Sequence, residues 1–541
     1  MAAGAPGWRP GRPRIVDLED RGKLLGLFSA RLPDRLHAMP PDPWPTNAAR
    51  AEAIVRGADP LNGVMAQHGP MDPESFDWLR DLGGLATDEA RKAACYFVRH
   101  WIDQHGRDHP EAQQVDVLAA RLVNWIGQYP FLNDGAEHGF RAAFADALMR
   151  QVAALERSAR RAPQGMKRLA AAKALLYAGV CLPRAEKRVA RALALLEPEL
   201  SRLILADGGC ADRNPSHQLA LLRHLVDIRG VLVAGHVDVP EFLQNAIDRA
   251  APMLRFFRHG DGALALFNGG LEETPALIDL VLAECKAEGK APASAPHAGF
   301  QRLVAGATTI IVDCGRPPPP VVGPEAHAGT LSFELSSGPA RLIVNCGSST
   351  DGAGLWRQLM RTTAAHSTLV VKDTNSSEVL QEGGIGRRPD EVAGRRNTAQ
   401  GATWLDMHHD GYGPRFGLVH HRRLYLTADG ADLRGEDSLT GGNGDQGVPF
   451  ALRFHLHPAV TAELEPETPL GEGVVSLGLP NGESWRFLAL GGALILEDSV
   501  YLGEPGRQQR TRQIVVIGET EPTTGEDGAA ALVKWAIKRT R

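Results

Sequence analysis

The 541-residue chain has no Cys-x-x-Cys pair, no apolar run of bilayer length, no excess of basic residues, and no tyrosine between Tyr177 and Tyr412. Each absence removes a class of protein. The six cysteines, Cys95, Cys181, Cys210, Cys285, Cys314 and Cys346, are scattered, so neither a disulfide framework nor a cysteine-built metal site is expected. They read as reduced and mostly buried thiols. Without an apolar stretch of about 20 residues, no transmembrane segment is expected. The arginines of residues 1–14 have no apolar stretch behind them, so no secretory signal is visible and the residues alone suggest a cytoplasmic protein. With 59 Lys and Arg against 64 Asp and Glu, the net charge of −5 gives no reason to expect a nucleic-acid partner. A local basic groove for an anionic sugar is compatible with that balance.

What is present is a hydrophobic content of 43% and a charged content of 23%, the composition of a globular protein. The length calls for two large domains or three small ones. Residues 1–45 are rich in Pro and Arg and read as an N-terminal arm with a short helix over Asp17–Leu32. From 46 to 290 the apolar period is helical. Pro240 and Glu241 open a stripe of Leu243, Ala246, Ile247, Ala250 and Leu254, and comparable stripes occur over 87–101, 110–127, 137–157, 166–178, 184–204, 216–233 and 274–285. Helices in such numbers, joined by short turns, predict hairpins set in a toroid or a layer; an irregular bundle fits the same periodicity.

The composition changes at the Pro/Ala/Ser stretch 289–299, and the period then becomes two. Leu331, Phe333 and Leu335 alternate with Ser332, Glu334 and Ser336, and Phe450, Leu452, Phe454 and Leu456 alternate with Ala451, Arg453, His455 and His457. Further strands are expected at 307–313, 340–345, 367–371, 417–427, 484–490, 493–499 and 512–517. The fold class is α+β multidomain, with an N-terminal helical domain followed by an antiparallel β-sandwich over 300–541.

Several stretches carry chemistry. Thr362 to Glu378 puts His366, Ser367 and Thr368 at the mouth of a short β-branched strand that leaves through a polar turn. Residues 404–414 gather Asp406, His408, His409, Asp410 and Tyr412 in what reads as a loop ended by Gly-Pro. Arg453, His455 and His457 share a strand face that reads as an anion-holding surface or as a solvated sheet face. In the helical half, residues 207–217 lead to a helix opened by Pro215, where Asn214 is either its N-cap or a ligand-facing amide and Arg213 could grip a carboxylate. The loop 258–270 is polar at both ends around an apolar strip.

The order of these motifs, D-G-G-x-x-x-R-N-P, G-D-G-x-x-A-L-F-N-G, H-S-T-L-V-V, H-D-G-Y and F-H-L-H-P, resembles that of heparinase II/III-like proteins, a polysaccharide lyase superfamily, over about residues 110–520. The resemblance implies an (α/α) toroid, a β-sandwich, a glycan cleft between them, and β-elimination on a uronate polysaccharide. That reaction needs the carboxylate neutralised, a base for the C5 proton and an acid for the leaving oxygen. By resemblance His366, Tyr412 and Asn214 are the catalytic candidates, and Arg213, His217, Asn268, Arg361 and His409 the substrate contacts. No cofactor is required; a structural zinc or calcium in the sandwich would fall to Asp406 and His421. The partner implied is an acidic polysaccharide or oligosaccharide, and the location implied is the cell envelope or periplasm, with the cytoplasm as the alternative. The chain departs from the family pattern at Cys210 and Phe267, in the loops where proton-transferring residues are expected. A glycan-binding protein that has lost catalysis is therefore a competing expectation, and a glycoside hydrolase using Glu272 and Glu273, or Asp207 and Asp212, a weaker one.

Overall fold

The computed structural model describes residues 35–62, 72–105, 114–183, 186–349, 354–442, 447–466, 473–521 and 529–540. The helix expected over Asp17–Leu32 lies outside the described residues. Residues 35–46 pack on the helices that follow, with Trp44 buried and its indole N–H donating to Asp227 at 2.7 Å.

The helical part is an (α/α) toroid. Helices Met166–Cys181 and Pro215–Ala234 are apolar on almost every side and pack on each other. Helices Glu186–Leu203 and Glu241–Phe256 carry one apolar stripe each and cover that pair from outside. The last helix, Pro275–Cys285, ends at Lys286 in a left-handed cap, after which the chain crosses to the strands.

The strands run β1 (Ser294–Ala295), β2 (Phe300–Ala305), β3 (Thr308–Asp313), β4 (Phe333–Ser337), β5 (Ala340–Val344), β6 (Leu369–Val371), β7 (Val392–Ala399), β8 (Ala402–Tyr412), β9 (Leu418–Leu426), β10 (Asp432–Gly441), β11 (Pro449–Leu456), β12 (Thr461–Glu465), β13 (Gly473–Gly478), β14 (Ser484–Leu490), β15 (Ala493–Glu504), β16 (Arg507–Glu519) and β17 (Ala529–Arg539). They form two antiparallel sheets. The first has the order β1-β2-β3-β4-β5-β11-β16-β15, with β6 pairing with β11; the second has the order β12-β13-β14-β17-β10-β9-β8-β7. The apolar residues of both sheets meet in one core that includes Phe333, Phe454, Phe487 and Trp535. The outer side of the first sheet packs on the toroid, where Phe300 meets Phe257 and Phe267 at ring distances of 5.0 and 5.2 Å.

The structure departs from expectation in two segments of the sandwich. Residues 404–412 are not a loop but most of β8, since Leu405, Met407 and His409 point inward while Trp404 and Asp406 are exposed. The concentration of titratable groups hid a period of two. The face carrying Arg453, His455 and His457 is neither an open anion surface nor a solvated one. It is covered: His455 is buried against Ser499 and the Ala364 carbonyl, Arg453 pairs with Glu497, and His457 lies beside Glu272.

Inside the sandwich, Asp437 accepts hydrogen bonds from Arg422 at 2.8 Å, His420 at 2.7 Å and the Trp535 indole at 2.8 Å. Arg422 also donates to the carbonyls of Leu331 and Ser367, which fixes the entrance of the His366 strand. Burial alone would raise the Asp437 carboxyl, but the Arg422 guanidinium and His420 hold it down at about 2. Its folded value lies below the unfolded one of about 3.9, so its stabilisation is present at neutral pH and lost as the pH falls through that window. Asp437→Asn removes the charge and leaves Arg422 buried and uncompensated. A loss of about 3–5 kcal/mol in chemical denaturation at pH 7 is expected, shrinking when the comparison is made near the acid limit.

Candidate functional site

Asn214 is the N-cap of helix Pro215–Ala234, its Oδ1 accepting from the N–H groups of Ser216 and His217 at 2.8 and 3.3 Å. No hydrogen bond among the described residues uses its Nδ2 group. Arg213, one residue earlier, has φ +63°, an uncommon left-handed backbone for a residue other than glycine. Its guanidinium points into the junction between domains. Nε donates to the Ala298 carbonyl, Nη1 to those of Gly315 and Arg316, and Nη2 to Gly299 and the Asp313 carboxylate at 2.5 Å. All five donors are used, and the Phe300 ring lies 4.6 Å below.

Asn268 connects the two halves. Its amide donates to the Arg213 carbonyl at 3.3 Å, and its oxygen accepts from the His327 backbone N–H at 3.2 Å. His327 Nδ1 stands 3.1 Å from His366 Nε2, and His366 Nδ1 stands 2.7 Å from the Thr362 carbonyl. A carbonyl only accepts, so His366 carries its proton on Nδ1. His366 Nε2 then accepts from His327 Nδ1, which leaves the lone pair of the pair on His327 Nε2. Burial pushes His366 down to about 4 and His327 well below the ordinary imidazole range, so both rings are neutral. Gly329 packs against the His366 ring, where a Cβ would come within 2.6 Å of Cδ2.

At the same mouth, His217 Nδ1 meets Asp212 at 2.5 Å. Glu325 forms a two-point ion pair with Arg357 at 2.8 and 3.1 Å, and Gly269 packs close to both Glu325 and the Asn214 amide, where a Cβ would come within 3.0 and 3.4 Å of them. Asn214, Asn268, His327 and His366 thus lie buried together at the junction, beside the compensated pairs His217–Asp212 and Arg357–Glu325.

Other candidates stand elsewhere. The Tyr412 hydroxyl is in the sandwich core, donating to the Leu369 carbonyl at 2.6 Å, and burial pushes it well above the ordinary phenol range. Arg361 spends its guanidinium on the carbonyls of Ala326, Leu380 and Gly384. His409 lies inside the sandwich, accepting from Gly411 N–H and adjoining His420 at 3.3 Å. Cys210 and Phe267 are both buried. Glu272 is engaged by Tyr501 and faces His457, Asp207 accepts from the N–H groups of Gly209, His297 and Ala298, and Asp212 is paired with His217, so these carboxylates are held by protein partners. Asp406 pairs with Arg423 and His421 with Thr440; among the described residues no group of three or more His, Cys, Asp or Glu is arranged to hold a metal. His327 is the residue that the sequence reading missed.

A helical toroid joined to a two-sheet sandwich, with histidine and asparagine at their junction, defines the heparinase-type architecture, and the comparisons agree. Residues 287–536 match the family model for the heparinase II/III-like C-terminal domain. Over 542 aligned residues the chain is 31% identical to FtsZ-localized protein C of Caulobacter vibrioides, covering 94% of this chain and 91% of that one. A heparinase III crystal structure superposes with a TM-score of 0.67 at 13% identity, covering 86% of this chain and 76% of that one. A mutant of the heparan sulfate lyase HepC from Pedobacter heparinus gives 0.64 at 16%, covering 96% and 88%. The chain belongs to the heparinase II/III-like family.

His217 provides a pH test of the mouth. Burial lowers its imidazole, but the charge and hydrogen bond of Asp212, with Glu325 and Glu273 behind them, raise it above the ordinary value overall. A raised folded value means stabilisation that is full below the unfolded value of about 6.5 and lost as the pH rises through the folded one. The stability advantage of wild type over His217→Gln is expected to be larger at about pH 5.5 than at about pH 8.5. Urea titrations giving an equal or growing advantage at the higher pH would break this assignment.

Proposed function

We propose that this chain binds an acidic glycan in the cleft between toroid and sandwich without cleaving it, and that it does so where FtsZ assembles. The observation that carries the reading is the make-up of the mouth. It keeps amides and imidazoles of the kind that could bind a sugar carboxylate and its hydroxyls, while the one candidate phenol, Tyr412, is in the sandwich core. A base strong enough to take the C5 proton needs a pKa near the working pH. The imidazole pair is held far below that by burial, and His366 spends its lone pair on His327. The location comes from the name of the Caulobacter relative, which describes that protein as FtsZ-localized. A fluorescent fusion of this chain that failed to gather with FtsZ would remove that part.

A second reading, a polysaccharide lyase cleaving a uronate glycan by β-elimination, is favoured by one observation: His327 Nε2 has no protein partner among the described residues. That nitrogen could take the C5 proton and return it to the leaving oxygen. The two readings separate in one assay, because only elimination leaves an unsaturated uronate that absorbs ultraviolet light. With heparan sulfate, alginate and hyaluronan we expect detectable binding and no rise in absorbance. A rise that His327→Ala abolishes would establish the lyase reading instead.

A further inference from the structure

The second sheet turns one face away from the toroid, and that face carries a groove of about 810 Å³. Its floor is a single cross-strand row. In register across β7, β8, β9, β10, β17 and β14 lie Asn397, Trp404, Tyr425, Arg434, Ala536 and Leu488. The next row on the same face, two residues along each strand, is Arg395, Asp406, Arg423, Glu436, Lys534 and Leu490. The first row is aromatic at one end and aliphatic at the other; the second alternates in charge until its last member.

Trp404 is 40% exposed, and its ring centroid lies 4.8 Å from that of Tyr425, which is half-buried. A large aromatic residue left open on a sheet face, one strand in from the edge, loses the stabilisation that burial would give it, and none of the described residues covers this one. The pair rests on a rigid sheet, so the two rings form a fixed platform. Around it stand five basic residues, Arg395, Arg423, Arg434, Lys534 and Lys538, against Asp406 and Glu436 in the lining and Asp432 beside them. Arg423 is shared by Asp406 and Glu436 at 3.5 and 3.1 Å, and Arg395 has no ion-pair partner among the described residues. The local balance is basic on a chain whose total charge is −5.

From this face we infer a second ligand site, separate from the cleft, that takes an acidic oligosaccharide. Sugar rings present flat C–H faces that lie against aromatic faces, and their rims present hydroxyls and carboxylates that need donors and acceptors side by side. Trp404 and Tyr425 supply the faces. Asn397, Arg395, Arg423 and Lys534 supply the rim contacts, and the unpaired Arg395 favours a carboxylate over a neutral sugar. An apolar peptide helix fits less well, because Arg434 interrupts the apolar row and the charge ladder runs beside it. The site rests on the reading of this chain as a glycan binder, but not on the cleft.

The test uses the full chain and labelled alginate and heparan sulfate oligosaccharides, with binding measured for wild type, for Trp404→Ala/Tyr425→Ala, and for the cleft variant Asn214→Ala/His327→Ala. The sheet variant is expected to lose about tenfold in affinity with an unchanged melting temperature, and Arg395→Ala to weaken binding of the acidic chain more than of a neutral glucan. A sheet variant that binds like wild type while the cleft variant loses binding overturns this site and leaves the cleft reading standing. Loss in the sheet variant alone supports the site and overturns the cleft. A neutral glucan bound as tightly as alginate, or a poly-glutamate peptide that competes through Trp404 and Tyr425, overturns the ligand assignment. No binding of either oligosaccharide to wild type overturns both.

Discussion

The Arg213 guanidinium is the contact on which the relation between the two domains depends. It leaves the toroid at the foot of helix Pro215–Ala234 and ends among carbonyls and a carboxylate that belong to residues 298–316, at the start of the sandwich. Only a planar group with five donors can satisfy that set, and a lysine in its place would leave several carbonyls unpaired. Because Asp313 and Arg213 are both buried, each is costly alone and tolerable only together. Asn214, the next residue, instead caps helix Pro215–Ala234. One residue anchors the junction and the next starts the helix beside it.

The same economy recurs wherever the sheets meet the helices. Strand β4 is buried on both faces: Phe333 and Leu335 enter the sandwich core, while Glu334 and Ser336 meet His259 from the toroid at 3.1 and 2.9 Å. Asn345 bridges Glu334, the Leu266 carbonyl and the Ser367 N–H, so the strand that carries His366 is tied to the helical domain through one amide. These polar contacts convert a sandwich that could have faced water into one that must hold a partner domain. Burial behind these contacts also keeps His327 and His366 neutral. They were placed there as fixed donors and acceptors, and burial has taken away their ability to titrate near neutrality.

Periodicity carried the architecture. The stripe opened by Pro240 and Glu241 became helix Glu241–Phe256, and the β-branched run after His366 became β6. The site was less legible, for reasons of distance and weighting. Arg213 resembled a substrate grip because its partners, 85 to 103 residues away, carry no mark in the sequence. His327 sits in a Pro-Glu-Ala-His-Ala-Gly turn without any period, and only its contact with His366, 39 residues on, gives it a role. Tyr412 drew attention because it is the first tyrosine after Tyr177; strict alternation from Leu405, Met407 and His409 would turn it outward, and the register shift between His409 and Tyr412 sends it into the core instead. Titratable residues crowded into one segment invite a functional reading; their direction is set by the pleat and by the irregularity that interrupts it.

As proposed, the cleft holds a uronate glycan whose C5 proton the buried pair His327 and His366 does not take. Exchange of that proton with solvent tests this without requiring bond cleavage. In heavy water, with stoichiometric protein and an alginate oligosaccharide, saturation transfer is expected to report binding while the C5–H resonance keeps its full intensity over hours. Loss of that resonance in wild type, and its retention in His327→Ala, would instead put an active base in the cleft and make the protein a lyase.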